Sequence, residues 1–408
     1  MEGTLSSSED SKRNINNVVV LALCQALYNS GRTLTFIAAS LVSISMLGDN
    51  LTFVTAPVTM MLVGTAAGTL PAAYLMRAFG RKWGFAIGSL VGVFGSAVAA
   101  YAISIDNFVI FNSGIFLFGM YGGAAQQYRF AAADVAPEHI KAKSVAIVIA
   151  MGVVGGLIGP ETVLLTKNIV NTLPFEGTFW ALGVFCLLSA IIILGVDIPT
   201  LTEAEYSDTG RPLTKIMLNH TFIVALIAAL FGYAVMNLLM TATPVTMRLE
   251  TFTDNNITRV IQWHVIGMFA PGFFTGSLIK KFGVVRVIVV GSFLLLISVC
   301  VALSGDSFTH FFITLFCVGV GWNFTFTGGT LLITEVHSPS ERAKVQGVND
   351  FILFTGLAMS SLFAGVIYHF MGWVWVNLAT TPMIIAVLFS AIWLRSIRQK
   401  ERVNSESA

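Results

Sequence analysis

Apolar positions along this 408-residue chain do not alternate with polar ones, as a half-buried strand requires, nor do they keep to one stripe of a helix. They gather in unbroken blocks of about 20 residues, each long enough as a helix to cross a hydrocarbon core of about 30 Å. Blocks fall near 17–47, 51–76, 83–104, 108–133, 144–170, 177–197, 218–247, 259–279, 287–304, 308–334, 345–369 and 375–394. The pattern predicts an all-α membrane protein of twelve transmembrane helices. Runs such as Phe179 to Val196 and Val287 to Leu303 have no polar face at all, which argues against a soluble helical bundle.

Polar segments punctuate these blocks. Residues 1–16 form a polar tail with no signal-peptide pattern, so the first span itself is expected to direct insertion, and the tail is expected to be disordered. Residues 198–217 read as a cytoplasmic linker between six-helix bundles at 17–197 and 218–394, and 395–408 as a second tail. If the spans alternate from a cytoplasmic N-terminus, Arg77, Arg81, Lys82, Lys141, Lys143, Lys280, Lys281, Arg286, Arg342 and Lys344 all fall on one side. The opposite loops carry Asp106, Glu176, Glu250 and Asp306. That bias predicts both termini on the cytoplasmic side of the cell membrane.

Composition agrees: 55% of residues are hydrophobic and 11% charged, and the net charge of +2 is the retention signal just described, with no call for a nucleic-acid partner. The four cysteines, Cys24, Cys186, Cys300 and Cys317, lie inside predicted spans without metal-ligand spacing. No phosphate-binding loop, zinc-protease motif or nucleophile elbow is present. The reading is therefore of a non-enzyme with no cofactor, whose partners are the bilayer, a small solute and a proton or sodium ion. It is expected to work as a monomer.

An internal repeat organises the chain. AGTLPAAYLMRAFGRKWGFAIG (67–88) and APGFFTGSLIKKFGVVRVIVVG (270–291) align Phe79, Gly80 and Gly88 with Phe282, Gly283 and Gly291 at an offset of 203 residues. The same offset carries Ala26-Leu27-Tyr28 onto Ala229-Leu230-Phe231, and PEHIKAK (137–143) resembles PSERAK (339–344). Parallel six-span halves place a solute path near the bilayer midplane.

These residues carry a resemblance over essentially the whole chain to the major facilitator superfamily of secondary transporters. The loop after the second span is similar to that superfamily's G-x-L-x-D-R-x-G-R-K signature through Leu75, Gly80, Arg81 and Lys82. Ala73 replaces the first Gly and Arg77 the Asp, while the second copy keeps Gly276, Leu278 and Gly283 but has Lys280 at the acidic position. The resemblance implies a cytoplasmic gate built from Arg77, Arg81, Lys82, Lys280 and Lys281, with Asp134, Glu335 and Asp350 as substitute acidic partners. Those three acids equally suit exposed helix ends. Gly155, Gly159 and Pro160 resemble part of the antiporter signature, which keeps drug/proton antiport open as an alternative. The stretches 126–134 and 321–351 resemble a bacterial branch associated with riboflavin uptake.

Polar groups inside the spans are candidate solute contacts, because hydrocarbon excludes them. Gln25, Tyr28, Asn29 and Arg32 recur at i, i+3, i+4 and i+7 and form one helical stripe; Gln126 and Arg129 form a shorter one. Arg32 offers a guanidinium to an anionic or carbonyl-rich solute, or a permanent partner to Glu161. Glu161 is correspondingly a proton carrier or that static partner. Arg129 is a ligand or the partner of Asp134. In the second half Tyr233, Asn237, Trp322, Asn323 and Thr327 supply rings and neutral polar groups, suited to a flat solute such as a flavin or to helix packing alone. His264 is expected at the outer start of the eighth span, solvated. The resemblance implies that spans one, four, seven and ten line the cavity and that transport proceeds by alternating access. A non-transporting solute receptor, a lipid flippase and a membrane-embedded enzyme remain alternatives.

Overall fold

The computed structural model describes residues 2–47, 53, 56–170, 174–198 and 210–406, and the described residues are almost entirely helical. Most of the predicted linker, 199–209, lies outside them. In chain order the helices are α1 (Glu2–Leu47), α2 (Ala56–Ser104), α3 (Phe108–Ala125), α4 (Tyr128–Val135), α5 (Glu138–Ala150), α6 (Gly152–Thr166) and α7 (Glu176–Ile192). A short α8 (Leu213–Met217) precedes α9 (His220–Leu249), α10 (Asp254–Phe269), α11 (Gly272–Phe282), α12 (Val284–Ser304), α13 (Phe308–Thr334) and α14 (Arg342–Glu406). The N-terminal tail, expected to be disordered, is a helical extension of α1 from Glu2, and the C-terminal one likewise continues α14 to Glu406, because neither carries a proline to stop a helix already nucleated in the span.

Among the described residues, nine helices are long and apolar enough to cross a membrane. Predicted and observed spans differ for local reasons. The second and third predicted spans are one helix, α2, of 49 residues. It would be roughly 74 Å long if straight, more than twice the hydrocarbon thickness. It breaks at Gly80 (φ 82°, ψ 162°), a conformation available essentially to glycine alone. The eighth predicted span is divided at Ala270-Pro271 into α10 and α11, each shorter than a bilayer crossing. In α1 the stripe of Gln25, Tyr28, Asn29 and Arg32 interrupts the apolar run, and this helix is not among the nine.

Gly283, 203 residues after Gly80, has φ 86° and ψ 149°. The repeat seen in the sequence is thus also a repeat of backbone geometry. Gly372 (φ 77°) breaks α14 in the same way between the last two predicted spans.

The chain divides into two compact units: residues 1–210 with 339–355, and 211–338 with 356–408. In the first, α2 packs along α3, and α1 lies against α6 and α7. A Cβ at Gly95 would sit 2.7 Å from the Gly114 carbonyl oxygen, so that contact depends on the missing side chain. In the second, α9, α10 and α12 pack on α13. The start of α14, residues 342–355, assigned from sequence to the second bundle, belongs by packing to the first unit.

Outward faces are as apolar as inward ones. On α7, Phe179, Leu182 and Cys186 are buried, while Trp180, Val184, Leu187, Leu188 and Ile191 are exposed. Such a surface is stable only in lipid. Hydroxyls within the helices are satisfied locally: Ser30, Thr35 and Ser43 donate to the carbonyls of Ala26, Gly31 and Ala39 at 2.8 Å.

Candidate functional site

Polar residues of the first unit fall into two groups. The α1 stripe faces inward, with Gln25, Tyr28 and Asn29 all buried. Tyr28 packs on Phe118 and Tyr121 of α3, at 6.0 and 5.4 Å between ring centroids. Arg32, half-buried, lies over the Phe36 ring at 5.6 Å. Asn29 Nδ2 is buried without a hydrogen-bond partner, as is Nε2 of Gln127 beside the buried Gln126. An orphaned amide donor costs about 1–3 kcal/mol, an expense that a bound acceptor would remove. Glu161 is exposed on α6, immediately after Pro160.

The second group is an ionic layer where α2 and α4 meet the start of α14. Arg81 Nη2 donates to Asp134 Oδ2 at 2.5 Å and to Gln346 Oε1 at 2.8 Å. Arg342 Nη1 reaches the same Asp134 oxygen at 3.5 Å. Arg129 pairs with Asp350 at 2.5 Å, their side chains 3% and 0% exposed. The sequence reading that paired Arg129 with Asp134 is therefore corrected: Asp134 is taken by Arg81 and Arg342, and the Arg129 guanidinium reaches Asp350 instead. Asp350 is also not an exposed helix-end charge. Arg342, Gln346, Asn349 and Asp350 recur at i, i+4, i+7 and i+8 and so share one helix face. Gln346 and Arg342 were missed from the sequence, although that spacing was readable in RAKVQGVND. At Gly347 a Cβ would stand 2.8 Å from the Ala73 Cβ, so α14 comes very close to α2 here.

Other residues expected at the gate are arranged differently. Arg77 and Lys82 are half-buried on α2, whereas Lys280 and Lys281 are exposed. Lys281 Nζ lies 5.2 Å from the Phe282 ring centroid. Glu335 accepts from Arg398 Nη2 at 2.6 Å, an exposed pair inside the second unit.

In the second unit Tyr233, Trp322 and Phe326 form a buried aromatic cluster. Trp322 stacks on Phe326 at 4.9 Å, and Tyr233 meets both edge-on at 5.2 Å. Trp322 Nε1 and Thr327 Oγ1, both buried, have no hydrogen-bond partner. Asn323 differs: its Oδ1 accepts from Thr275 and its Nδ2 donates to the Met268 carbonyl, each at 2.7 Å. Asn237 donates to Ser360 Oγ at 2.9 Å. These two amides hold helices together. His264, expected to be solvated, is fully buried, with Nδ1 2.7 Å from the Leu315 carbonyl oxygen, because α10 turns that face onto α13.

A chain of apolar helices in repeated halves, with a buried ionic layer and orphaned polar groups inside the spans, is a polytopic membrane transport protein. Comparison with known proteins specifies it. The chain belongs to the Major Facilitator Superfamily, whose family model matches residues 21–255 and 261–408. It is a transmembrane transporter of a small solute, not an enzyme. The riboflavin transporter RfnT of Brucella anthropi is 38% identical over 92% of this chain and 95% of its own length. The uncharacterized transporter YddS of Bacillus subtilis is 25% identical over 84% and 83%. Among solved structures, the proton:xylose symporter XylE covers 95% of this chain and 96% of its own at a TM-score of 0.75. The E. coli fucose:proton symporter FucP covers 93% and 99% at 0.72. Both are 14% identical, a likeness of fold alone.

Proposed function

We propose that this protein carries riboflavin or a closely related flavin across the cell membrane by alternating access, as a proton-coupled monomer of twelve spans with both termini in the cytoplasm. The observation that carries the reading is the 38% identity with a riboflavin transporter over nearly the full length of both chains. The chemistry of the spans supports it. A flavin presents a flat ring edged with carbonyl and nitrogen acceptors and a polyhydroxylated tail. Trp322 and Thr327 offer an N–H and a hydroxyl beside aromatic faces, and Asn29, Gln25, Gln126 and Arg32 offer donors in the first unit. Tyr28 shares the α1 stripe with Gln25 and Asn29, Tyr233 packs on Trp322 in the second unit, and Asn237 and Asn323 position helices there.

The layer of Arg81, Asp134, Arg129, Asp350 and Gln346 acts in this reading as the first unit's part of the cytoplasmic gate, with Arg77 and Lys82 on the same α2; Lys280, Lys281 and Glu335 are the second unit's candidates for it. Glu161 is a candidate proton carrier. Counterflow of labelled riboflavin in proteoliposomes is the test: saturable exchange, lost with Arg32→Ala, is expected. Absence of exchange together with efflux of cationic dyes would replace the flavin reading with drug/proton antiport. Binding without flux would indicate a receptor.

A further inference from the structure

We infer that Thr330 and Thr327 of α13 form the subsite for the hydroxyl-rich tail of the solute, while the Trp322 N–H beside them is taken by an acceptor on its ring. The inference deepens the flavin reading above and rests on it.

The two threonines are set apart by the bond they do not make. A hydroxyl inside an apolar helix ordinarily donates to a carbonyl one turn back. The other buried serines and threonines described in the second unit all donate to a helix carbonyl. Thr243, Thr246, Ser292, Thr325 and Ser390 do so at 2.7 to 3.0 Å. Thr327 Oγ1 and Thr330 Oγ1 have no hydrogen-bond partner, although the residues are only 0% and 2% exposed. Burying a hydroxyl unpaired costs stability, and an alcohol of the solute removes that cost.

Asn323, Thr327 and Thr330 recur at i, i+4 and i+7 and share one side of α13. Asn323 is filled by Thr275 and the Met268 carbonyl; one and two turns further on, no protein group does the same for the hydroxyls. Thr330 also follows Phe326 by one turn, and Phe326 stacks on Trp322. From Trp322 to Thr330 the helix rises about 12 Å, comparable with the reach from the carbonyl edge of a flavin ring to the end of its extended tail. The chemistry divides in the same way. An indole N–H can only donate and so selects a ring nitrogen or carbonyl, whereas a threonine hydroxyl donates and accepts and can pair with an alcohol in either sense. No Asp, Glu, Lys or Arg lies on α13, so recognition along it is neutral. Both threonines are closed off from solvent in this conformation, so the tail reaches them when the helices packed on α13 part. A solute without a tail would leave both hydroxyls unpaired, which is how a site built for an alcohol rejects its analogue.

The test is titration of the purified protein with riboflavin and with lumiflavin, the same ring bearing a methyl group in place of the tail, followed by flavin fluorescence. Wild type should bind riboflavin at least about tenfold more tightly than lumiflavin. Thr330→Val and Thr327→Val should each weaken riboflavin about tenfold and leave lumiflavin unchanged. Their solute-free Tm should stay level or rise, because no intramolecular bond is lost. Thr330→Ser, which keeps the hydroxyl, should retain riboflavin affinity. Trp322→Phe should weaken both flavins alike, and Thr325→Val, whose hydroxyl is already bonded within the helix, should weaken neither. Equal wild-type affinity for the two flavins, unchanged riboflavin affinity in either threonine-to-valine variant, or an equal loss for both ligands there would overturn the subsite and leave the flavin reading standing. A wild type that binds neither flavin would overturn both.

Discussion

At the scale of single residues, the useful distinction is between polar groups already satisfied and those left orphaned. Asn29 and Asn323 are both buried asparagines in apolar helices, and composition cannot separate them. Asn323 is bonded at both ends of its amide, so Asn323→Ala leaves the Thr275 hydroxyl and the Met268 carbonyl without that partner. It should cost about 1–3 kcal/mol, read as a lower Tm in detergent. Asn29 Nδ2 has no partner, so Asn29→Leu should leave the solute-free Tm level or raised and weaken riboflavin about tenfold, equivalent to about 1.4 kcal/mol. A fall in Tm with unchanged affinity would make Asn29 structural. The sequence placed all of these groups inside spans because hydrocarbon selects against stray polarity. Which amide finds a partner depends on helices far apart in the chain, and no spacing rule encodes that. The Arg129–Asp350 pair spans 221 residues for the same reason.

At the scale of helices, the repeat was the most legible feature. Its offset of 203 predicted that whatever the chain does at Gly80 it does again at Gly283, and the two glycines share nearly the same dihedrals. Each turns the chain where a predicted loop lies between spans. Gly80→Ala and Gly283→Ala should each destabilise by about 1–3 kcal/mol through backbone strain, and at Gly283 a Cβ meets nothing within 4 Å, so strain is the whole effect there. Thermal melting of the two variants should therefore show losses, and Gly→Asn should gain nothing over Gly→Ala, because Asn tolerates positive φ in the left-handed helical region and not at ψ 162° or 149°. Less legible were α10 and α11: hydropathy joined them into one span, because a proline within an apolar run changes backbone geometry without changing polarity. The helical N-terminal tail was misjudged for a related reason, since polarity says where a membrane ends but not where a helix does.

At the scale of the whole molecule, orientation is the property that charge asymmetry encodes. The proposed topology puts Lys141 inside and Asp306 outside. A cysteine at position 306 should react with a membrane-impermeant maleimide in intact cells, and one at 141 should react only after permeabilisation; the reverse would invert the protein. Unit boundaries were less readable, because residues 339–355 pack with the first unit although the repeat assigns them to the second. Hydrophobic pattern records which helices exist, not which neighbour each prefers.

Burial of the ionic layer has one more outcome. Mobile ions weaken charge interactions over a Debye length of about 8 Å at physiological ionic strength, but only where water admits them. The exposed Arg398–Glu335 pair, at 34% and 45%, is open to that weakening; Arg129 and Asp350, at 3% and 0%, are shielded from it. The loss of Tm in detergent caused by Asp350→Asn should accordingly be the same at about 0.05 and 1 M salt. A contact held in this way is deaf to salinity: the seating of residues 339–355 within the first unit does not loosen as the medium grows more saline.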